Sequence, residues 1–455
     1  MIRKKHPLRP ICALAAAAML SACGTTLIEP APKQMVSARF ATQAPQAGNT
    51  IDFNWWAQLN DAQLNELLQL ARQNSPDLRS AAASVMQARA VADQDRADQF
   101  PSLTGSAART ASREDGSPRR KVGTAALDAS WEIDLFGRAR ETARASRLSA
   151  RAEEVAYAGS YVSLSAEVAD GYVQYRACKQ VEAVYREALR SQQGTVKATG
   201  DLVTTGLAGS GDGALASANA ATAAISLQSG KASCRVLAQG LAVIVGVSQS
   251  QIDEILSRGS AIPRAKAFRA ATVPAEALRQ RPDVIEAELN FASALADMGA
   301  ARADLFPSLG LDGSVTLTNP SSWSFGPALS LPILDGGARK AGLKTANASA
   351  ILAGETYRKT VLSAVAEIEG AMTELGAARA NGASARSAVA GYKSHFAVID
   401  ESWRAGFETL ITREEARRSL QTAQITEIQQ REEETRQWIA LFKAMGGGWT
   451  TEARQ

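Results

Sequence analysis

The sequence predicts an α+β membrane protein built from two tandem repeats, in which long helices are joined to a small sheet. Three observations support this fold class. One short segment occurs twice with almost the same residues, apolar and polar residues alternate in the stretches that follow it, and two stretches of more than 120 residues contain no proline. With 455 residues the chain is long enough for several domains.

The duplicated segment marks a change from helix to strand. Residues 96–103 and 302–309 are identical at seven of eight positions, and both contain Phe-Pro-Ser-Leu. A Pro-Asp pair and a run of helix-favouring residues precede each copy. Pro101 and Pro307 suit the first position of a strand, where no donor to the ladder is needed. We therefore predict two equivalent repeats, each with a helix that leads into a hairpin.

Alternating residues predict two β-hairpins, at about residues 102–136 and 308–334. From Val122 to Phe136 the odd-numbered positions are mainly apolar and the even-numbered ones mainly polar, which is typical of a strand with two different faces. Four strands are too few for a membrane barrel, whose smallest forms have eight. Three copies of the chain would supply twelve, so we predict a trimeric 12-stranded β-barrel with its apolar face in lipid and its polar face on a lumen. A small soluble sheet packed on the helices is the alternative.

The proline-free stretches predict four long helices, because proline breaks the interior of a helix. We place them at about residues 137–194, 212–246, 337–403 and 408–445. The first would be about 87 Å long at 1.5 Å per residue, which exceeds what ordinary globular domains contain. The sequence therefore predicts a long α-helical barrel that continues the sheet. Repeat 1 then covers residues 61–265 and repeat 2 covers residues 266–455.

The N-terminus predicts export and lipidation. Basic residues precede the short apolar run Ile11–Leu20, and small residues lead to Cys23, as in a secretory signal. The arrangement resembles the processing site of bacterial lipoproteins, in which residues 1–22 are removed as a signal peptide and Cys23 carries the acyl chains, palmitate among them. Gly24 then implies sorting to the outer membrane, with residues 23–60 as a lipidated tether. An ordinary signal peptide with an incidental cysteine is the alternative.

Two further cysteines are disulfide candidates. Cys178 lies 28 residues before Gly206, and Cys234 lies 28 residues after it. If Gly206 is near the turn of an antiparallel helix pair, both cysteines lie at the same height. An exported protein is in an oxidising compartment, so a disulfide fits; two buried free thiols are the alternative.

Residues for catalysis or metal binding are scarce. There are two histidines, one of them in the predicted signal peptide, and no Cys-x-x-Cys pair. We therefore predict no enzyme, no metal and no cofactor. The formal net charge is only +4, and no basic stretch is interleaved with aromatic residues, so we predict no nucleic-acid partner.

Several motifs together resemble the outer-membrane efflux protein family. They are Trp-Glu-Ile-Asp-Leu-Phe-Gly-Arg at 131–138, Arg-Pro-Asp-Val at 281–284, Phe-Pro-Ser-Leu at 306–309 and Leu-Ser-Leu-Pro-Ile-Leu-Asp-Gly-Gly at 329–337. The chain is similar to the TolC and OprM group, in particular to its lipoprotein branch, often labelled NodT. This resemblance implies a homotrimeric, passive exit duct for solutes or drugs, in the outer membrane with a large periplasmic part. It also implies coupling to a periplasmic membrane-fusion adaptor and an inner-membrane efflux pump.

The resemblance implies a gate at the periplasmic end. Trp403-Arg404-Ala405-Gly406 and the later Glu415 match the family's gate segment. Arg404 and Glu415 would be partners in the closed state, held by a salt bridge of modest strength. Trp403 stands where the family pattern has Tyr, and it offers no hydroxyl. Solvated helix charges are the alternative for Arg404 and Glu415.

The resemblance also implies an adaptor-docking tip. Gly206-Leu207-Ala208, together with Gly406 at the other turn, is similar to the family's docking turns. The glycines do not form a phosphate loop, because no Lys-Ser or Lys-Thr follows them.

Two other functions are compatible with parts of the sequence. One is an outer-membrane duct for polypeptide export. The other is a lipid-anchored coiled-coil structural protein without a pore, against which the four alternating strands argue.

Overall fold

The computed structural model describes residues 55 to 447, except 114, 117, 260, 265 to 274 and 319. The predicted signal peptide, Cys23 and most of the predicted tether lie outside these residues. The described part is mostly helical and contains one small sheet. After a short 3-10 helix (Trp55–Leu59) its elements are α1 (Ala62–Asn74), α2 (Pro76–Ala97), β1 (Ser102–Ser112), β2 (Arg120–Ile133), α3 (Arg138–Thr204), α4 (Ser210–Val245), α5 (Gln249–Ser257), α6 (Ala275–Gln280), α7 (Pro282–Ala303), β3 (Ser308–Leu317), β4 (Ser322–Ser330), α8 (Ala338–Arg404) and α9 (Leu410–Ala444). Taken singly, none of the described helices is long and apolar enough to cross a membrane, although α4 and α5 pass that test as a pair bent by 116°.

The two longest helices, α3 and α8, have 67 residues each and are therefore about 100 Å long. Both follow a glycine with a left-handed backbone, Gly137 at φ 88° and Gly337 at φ 90°. Helix α3 runs past the predicted end at Gly194 to Thr204. A glycine inside a helix costs only about 1 kcal/mol, and buried side chains on both sides of Gly194 hold the helix there. The chain turns instead at Gly206, whose φ of 71° a helix cannot continue.

The sheet is antiparallel with the strand order β1-β2-β3-β4. Its central pair, β2 and β3, joins the two repeats, with Trp131 opposite Leu311. Directly opposite residues share a face, so the register aligns the apolar positions of all four strands on one side and the polar positions on the other. Strands β1 and β4 are the edges of the sheet.

The hydrophobic core lies where the 3-10 helix and α1 meet parts of α3, α4, α5, α8 and α9. Trp55 and Trp438 are fully buried in it, with ring centroids 5.7 Å apart. Phe442 packs 4.5 Å from Trp438. This core fixes the middle of the long helices and leaves the sheet and the two helix turns, at Gly206 and Gly406, outside it.

The last helix of each repeat ends in the same way. Gly246 after α4 and Gly446 after α9 have φ values of 76° and 72°. A Cβ on Gly246 would lie 2.4 Å from the backbone oxygen of Asn74, and one on Gly446 would lie 3.1 Å from Cα of Arg281. Each helix end thus packs tightly against the residues immediately before the proline-led helix of its own repeat, α2 or α7.

Candidate functional site

One face of the sheet is apolar and exposed. It consists of odd-numbered residues from all four strands; the largest exposed side chains are Leu103, Leu317, Trp323, Phe325 and Leu329. Their exposed fractions lie between 61% and 79%. A soluble surface rarely leaves so large an apolar patch uncovered, whereas a lipid-facing strand requires one.

The opposite face carries fixed carboxylates. Ser314 Oγ donates a hydrogen bond of 2.7 Å to Asp128, and Ser130 Oγ donates one of 2.9 Å to Asp312. These residues are directly opposite each other in the β2–β3 register, so each repeat supplies one serine and one aspartate. The hydrogen bonds orient both carboxylates while leaving them exposed, which suits a surface in contact with water and cations.

The junction between the sheet and the long helices is tightly held. Phe306 of the second Phe-Pro stacks on Phe136 with ring centroids 4.9 Å apart. Trp131 Nε1 donates to the backbone oxygen of Gln99 at 3.0 Å. Arg138, the first residue of α3, forms an ion pair of 2.7 Å with Glu132 of β2. The duplicated segments therefore lie where α2 and α7 become strands, next to the start of α3.

Near the far end of the long helices lies a buried charge cluster, formed by Asp400, Arg413, Glu414 and Arg417. Arg413 is its centre, with 7% of its side chain exposed. It donates to Asp400 at 2.6 Å, to Thr195 Oγ1 at 2.8 Å and to Glu414 at 2.9 Å. The ring of Trp403 lies 4.5 Å from its guanidinium carbon. Arg413 thus connects α9 with α8 and with α3.

Glu414 extends the buried charge cluster further into α3. It accepts hydrogen bonds from Gln192 of α3 and from Arg417, the latter at 3.3 Å. Arg417 donates to the backbone oxygen of Ala188 at 3.4 Å. Burial lowers the pKa of Arg417, and Glu414 opposes this effect. Buried charges are costly unless each has a partner, and here every charge has one.

The predicted gate pair, Arg404 and Glu415, is not formed within the protomer. Arg404 is 70% exposed and pairs with Asp400 at 2.8 Å, one helical turn before it. Glu415 lies on the exposed side of α9, away from the buried Arg413, in an open groove with Tyr392 and Arg418. The local i,i+4 geometry favours Asp400 because the two side chains already share a face.

Sequence reasoning missed Asp400, Arg413 and Glu414. Arg413 and Arg417 are one turn apart on α9, which indicates a common face but not whether it is buried. Their contacts on α3 are more than 200 residues away in sequence, with Thr195 at a separation of 218. No signal in one sequence could have identified those partners.

The two turns that connect the long helices present apolar tips. Gly206 and Gly406 have φ values of 71° and 82°. The next residues, Leu207 and Phe407, are 77% and 87% exposed, and Ala208 follows half-exposed. Leu207 and Phe407 each donate a backbone hydrogen bond of 2.9 Å back to their helix. Phe407 was not predicted, although its place after Gly406 parallels that of Leu207 after Gly206.

Cys178 and Cys234 form a disulfide in the structure. Their Cα atoms are 5.6 Å apart, a usual distance for such a bond. The disulfide joins α3 to α4, since the two helices run antiparallel from their common turn. It closes a loop with a sequence separation of 56 residues.

An acidic contact lies between α3 and α9. Arg436 pairs with Asp170 at 2.6 Å and with Glu433 at 3.6 Å. Burial raises the pKa of the neighbouring Glu432 to about 7; Arg436 lowers it, and Asp170 and Glu433 raise it. Within the described part of the chain, no group of three or more His, Cys, Asp or Glu residues could hold a metal ion.

A sheet with one exposed apolar face and one polar face, continued by helices of about 100 Å, defines the class of membrane channels with a helical extension. The family model described as "Outer membrane efflux protein" matches residues 67–247 and 273–447. The chain belongs to the outer membrane efflux protein family, which confirms the resemblance seen in the sequence. The family and the similar structures are outer-membrane channels, with no indication of enzymatic activity.

Relatives and solved structures agree with this assignment. The chain is 26% identical to Nodulation protein T of Rhizobium leguminosarum bv. trifolii, over 96% of this chain and 97% of that protein. It is 28% identical to the toluene efflux pump outer membrane protein TtgI of Pseudomonas putida, over 86% of each. The outer-membrane channel OprN superposes with a TM-score of 0.83 at 28% identity, covering 92% of this chain and 98% of that one. The Campylobacter jejuni CmeC outer membrane channel shares the fold with a TM-score of 0.81.

Proposed function

We propose that the chain is the exit duct of a tripartite efflux system, assembled as a homotrimer with a 12-stranded barrel. The observation that carries this proposal is the four-stranded sheet with an exposed apolar face and two edge strands. In the described sheet β1 and β4 each have a neighbour on one side only, and such edges need closing. Eight strands would enclose little more than side chains. Twelve leave an aqueous lumen, lined by Asp128 and Asp312.

The exposed faces of the helices support a closed assembly. Helix α4 exposes Ile225, Val236 and Val243 at 64% to 75%, and α8 exposes Ile351 and Leu352 at 62% and 70%. Neighbouring copies in a helical barrel would cover these side chains. The same ring of copies would bring each β1 edge next to the β4 edge of the next protomer.

The transported material is, in this proposal, a small solute or drug. Relatives at 26–28% identity are named for solvent, toluene and antibiotic efflux pumps. Leu207, Ala208 and Phe407, with their glycines Gly206 and Gly406, form the apolar tips on which a periplasmic adaptor would dock. An inner-membrane pump supplies the energy, and the duct itself is passive. None of these named relatives supports the alternative of polypeptide export. A structural protein without a pore would not need a sheet with an exposed apolar face.

The gate lies at the end of the long helices that is remote from the sheet. Trp403, Arg404 and Glu415 are the proposed gate residues, and their contacts within the protomer differ from a direct Arg404–Glu415 pair. Trp403 packs on Arg413, and Arg404 acts through Asp400. Glu415 borders a groove that is open in the protomer and is available to a neighbouring copy.

Cys23 is the proposed lipid anchor of the barrel protein. The 31 residues between Cys23 and Trp55 can extend about 100 Å, enough to reach the membrane from the core. A Cys23→Ser variant should therefore incorporate no labelled palmitate, and incorporation at the wild-type level would contradict the anchor.

Planar-bilayer conductance of the purified protein tests the duct. We expect stepwise channels, with larger or more frequent openings when Arg404 and Glu415 are both changed to Gln. If neither protein forms a channel while both are trimeric by light scattering, the duct proposal is wrong. A monomeric protein that conducts would instead contradict the trimer.

A further inference from the structure

The basic residues of the sheet are confined to one end of its first hairpin. They are Arg109 on β1, with Arg120 and Lys121 at the start of β2. Arg113 and Arg119 flank the turn between these strands. Strands β3 and β4 contain no Lys or Arg. The charge is therefore at the end of the sheet that is remote from α3.

Two of these residues share the apolar face. Residues two apart on a strand point to the same side, and Arg109 follows Leu103 and Ala107 at that spacing. Lys121 lies opposite Ala111, which is on the same side as Arg109. Arg120 lies opposite Ser112, on the polar face. The register thus separates Arg109 and Lys121 from their neighbour Arg120.

The basic side chains begin where the apolar band ends. Ala107 lies opposite Ala125, and Ala125 lies opposite Leu317, the last residue of β3. Arg109 is two residues beyond this level, about 7 Å along the strand. The headgroup layer of a bilayer extends about 5–7 Å beyond the hydrocarbon on each side. Arg109 is therefore at the height of lipid phosphates when the apolar band is in the hydrocarbon. Lys121, at the level of Ala111, is two residues further along the sheet, and its long flexible side chain can reach back to the same layer.

No contact in the described part of the protomer neutralises these charges, although Asp115 lies in the turn that Arg113 and Arg119 flank. Arg109, Arg113, Arg119 and Lys121 are all exposed, and their side chains form no ion pair with another described residue. Arginine binds phosphate through parallel N–H donors, and basic residues at a membrane surface attract anionic headgroups.

We propose that Arg109, Arg113, Arg119 and Lys121 form a basic patch that binds phosphate groups of anionic lipid in the outer leaflet. This inference rests on the proposed function, because the trimeric barrel is what places the patch at the outer surface. Each trimer then has three basic patches alternating with three uncharged hairpin ends. Acyl chains of the same lipid lie against the apolar band below.

Lipid A, with and without its phosphates, is the probe. The full-length protein in detergent is titrated with each form, and binding is followed by native mass spectrometry. We expect the Arg109→Gln/Lys121→Gln variant to bind phosphorylated lipid A about thirtyfold more weakly, because each basic residue near a membrane surface contributes about fivefold. Arg120→Gln removes a charge from the same hairpin end but from the lumen face, so it should bind within about twofold of wild type.

Equal affinity of the double variant and Arg120→Gln would overturn the proposal. So would equal binding of dephosphorylated lipid A, or displacement of lipid A by millimolar inorganic phosphate, which would indicate a free-anion site. Conductance in a bilayer of neutral lipid separates this failure from failure of the duct. If wild type and both variants conduct alike, the duct stands and the affinities alone decide the lipid site; if none conducts, the duct proposal is what fails.

Discussion

Replacing Arg413 by Met tests whether the buried charge cluster holds the end of the long helices together. The side chain of Arg413 is 7% exposed and bridges α9 to Asp400 on α8 and Thr195 on α3. Methionine fills much of the same volume but carries no charge and no donor. The substitution therefore leaves Asp400, at 15% exposure, and Glu414, at 6%, without their central cation.

The expected cost is large and local. Removing one partner from a buried ion pair costs about 3–5 kcal/mol, because the remaining charge stays desolvated. Arg404→Met is the matched control: Arg404 pairs with the same Asp400, but 70% of its side chain is exposed. An exposed pair of this kind contributes about 0–1 kcal/mol. The two variants should therefore differ by roughly 2–5 kcal/mol.

Hydrogen exchange at residues 400–417 measures this difference directly. We expect Arg413→Met to speed exchange there by more than tenfold over Arg404→Met, with little change in the core around Trp438. In planar bilayers the same variant should open more often, since the contact between α3 and the α8–α9 pair is weakened. Equal exchange in the two variants, with equal opening, would refute the reasoning that this cluster restrains the helices.

Three further predictions concern stability. Gly246→Ala should destabilise the protein by clearly more than about 1–2 kcal/mol, which is the cost of a left-handed backbone at a residue with a Cβ, because this Cβ would also lie 2.4 Å from the Asn74 oxygen. Gly406→Ala is the control: its Cβ would have no atom within 4 Å, so only the backbone cost should remain. Equal shifts of the urea midpoint in the two variants would contradict this. Replacing both Cys178 and Cys234 by Ser should cost about 4 kcal/mol for a closed loop of 56 residues, whereas a wild-type midpoint indifferent to reductant would argue against the disulfide. Burial raises the pKa of Glu432 from 4.5 to about 7, so between these pH values the folded state keeps a proton that the unfolded state has already lost. The wild-type protein therefore loses stability as the pH rises from about 4.5 to about 7. Glu432→Gln should remove this loss, and a melting temperature that falls equally in both proteins between pH 5 and pH 8 would contradict it.

The features that could be predicted from the sequence are those with a local pattern. The alternation around Leu127 and Leu311 specifies strands with two faces, and the absence of proline after Gly137 allows a 67-residue helix. The end of that helix was misplaced at Gly194, because composition does not show that neighbouring helices support a glycine in the interior. Whether a glycine ends a helix depends on its backbone angle. Of Gly194 and Gly206, only Gly206 has a positive φ.

The candidate gate shows where sequence reasoning stops. Arg404 was recognised by its motif, but its choice of Asp400 over Glu415 depends on which faces of α8 and α9 meet. The contacts of Arg413 with α3 depend on how the two repeats pack, across a separation of 218 residues to Thr195. Long-range packing of this kind leaves no periodic signal in one chain.

The pairing of β2 with β3 has a consequence for how the protein is made. Ser314 and Asp128, which are hydrogen-bonded across this pair, are 186 residues apart in the chain. The first hairpin is therefore complete long before its partner has been synthesised, and a lone two-stranded hairpin is only marginally stable in water. The four-stranded sheet therefore cannot form until the second repeat has been synthesised. Until then the first hairpin has two exposed strand edges instead of one, and exposed edges of this kind favour aggregation.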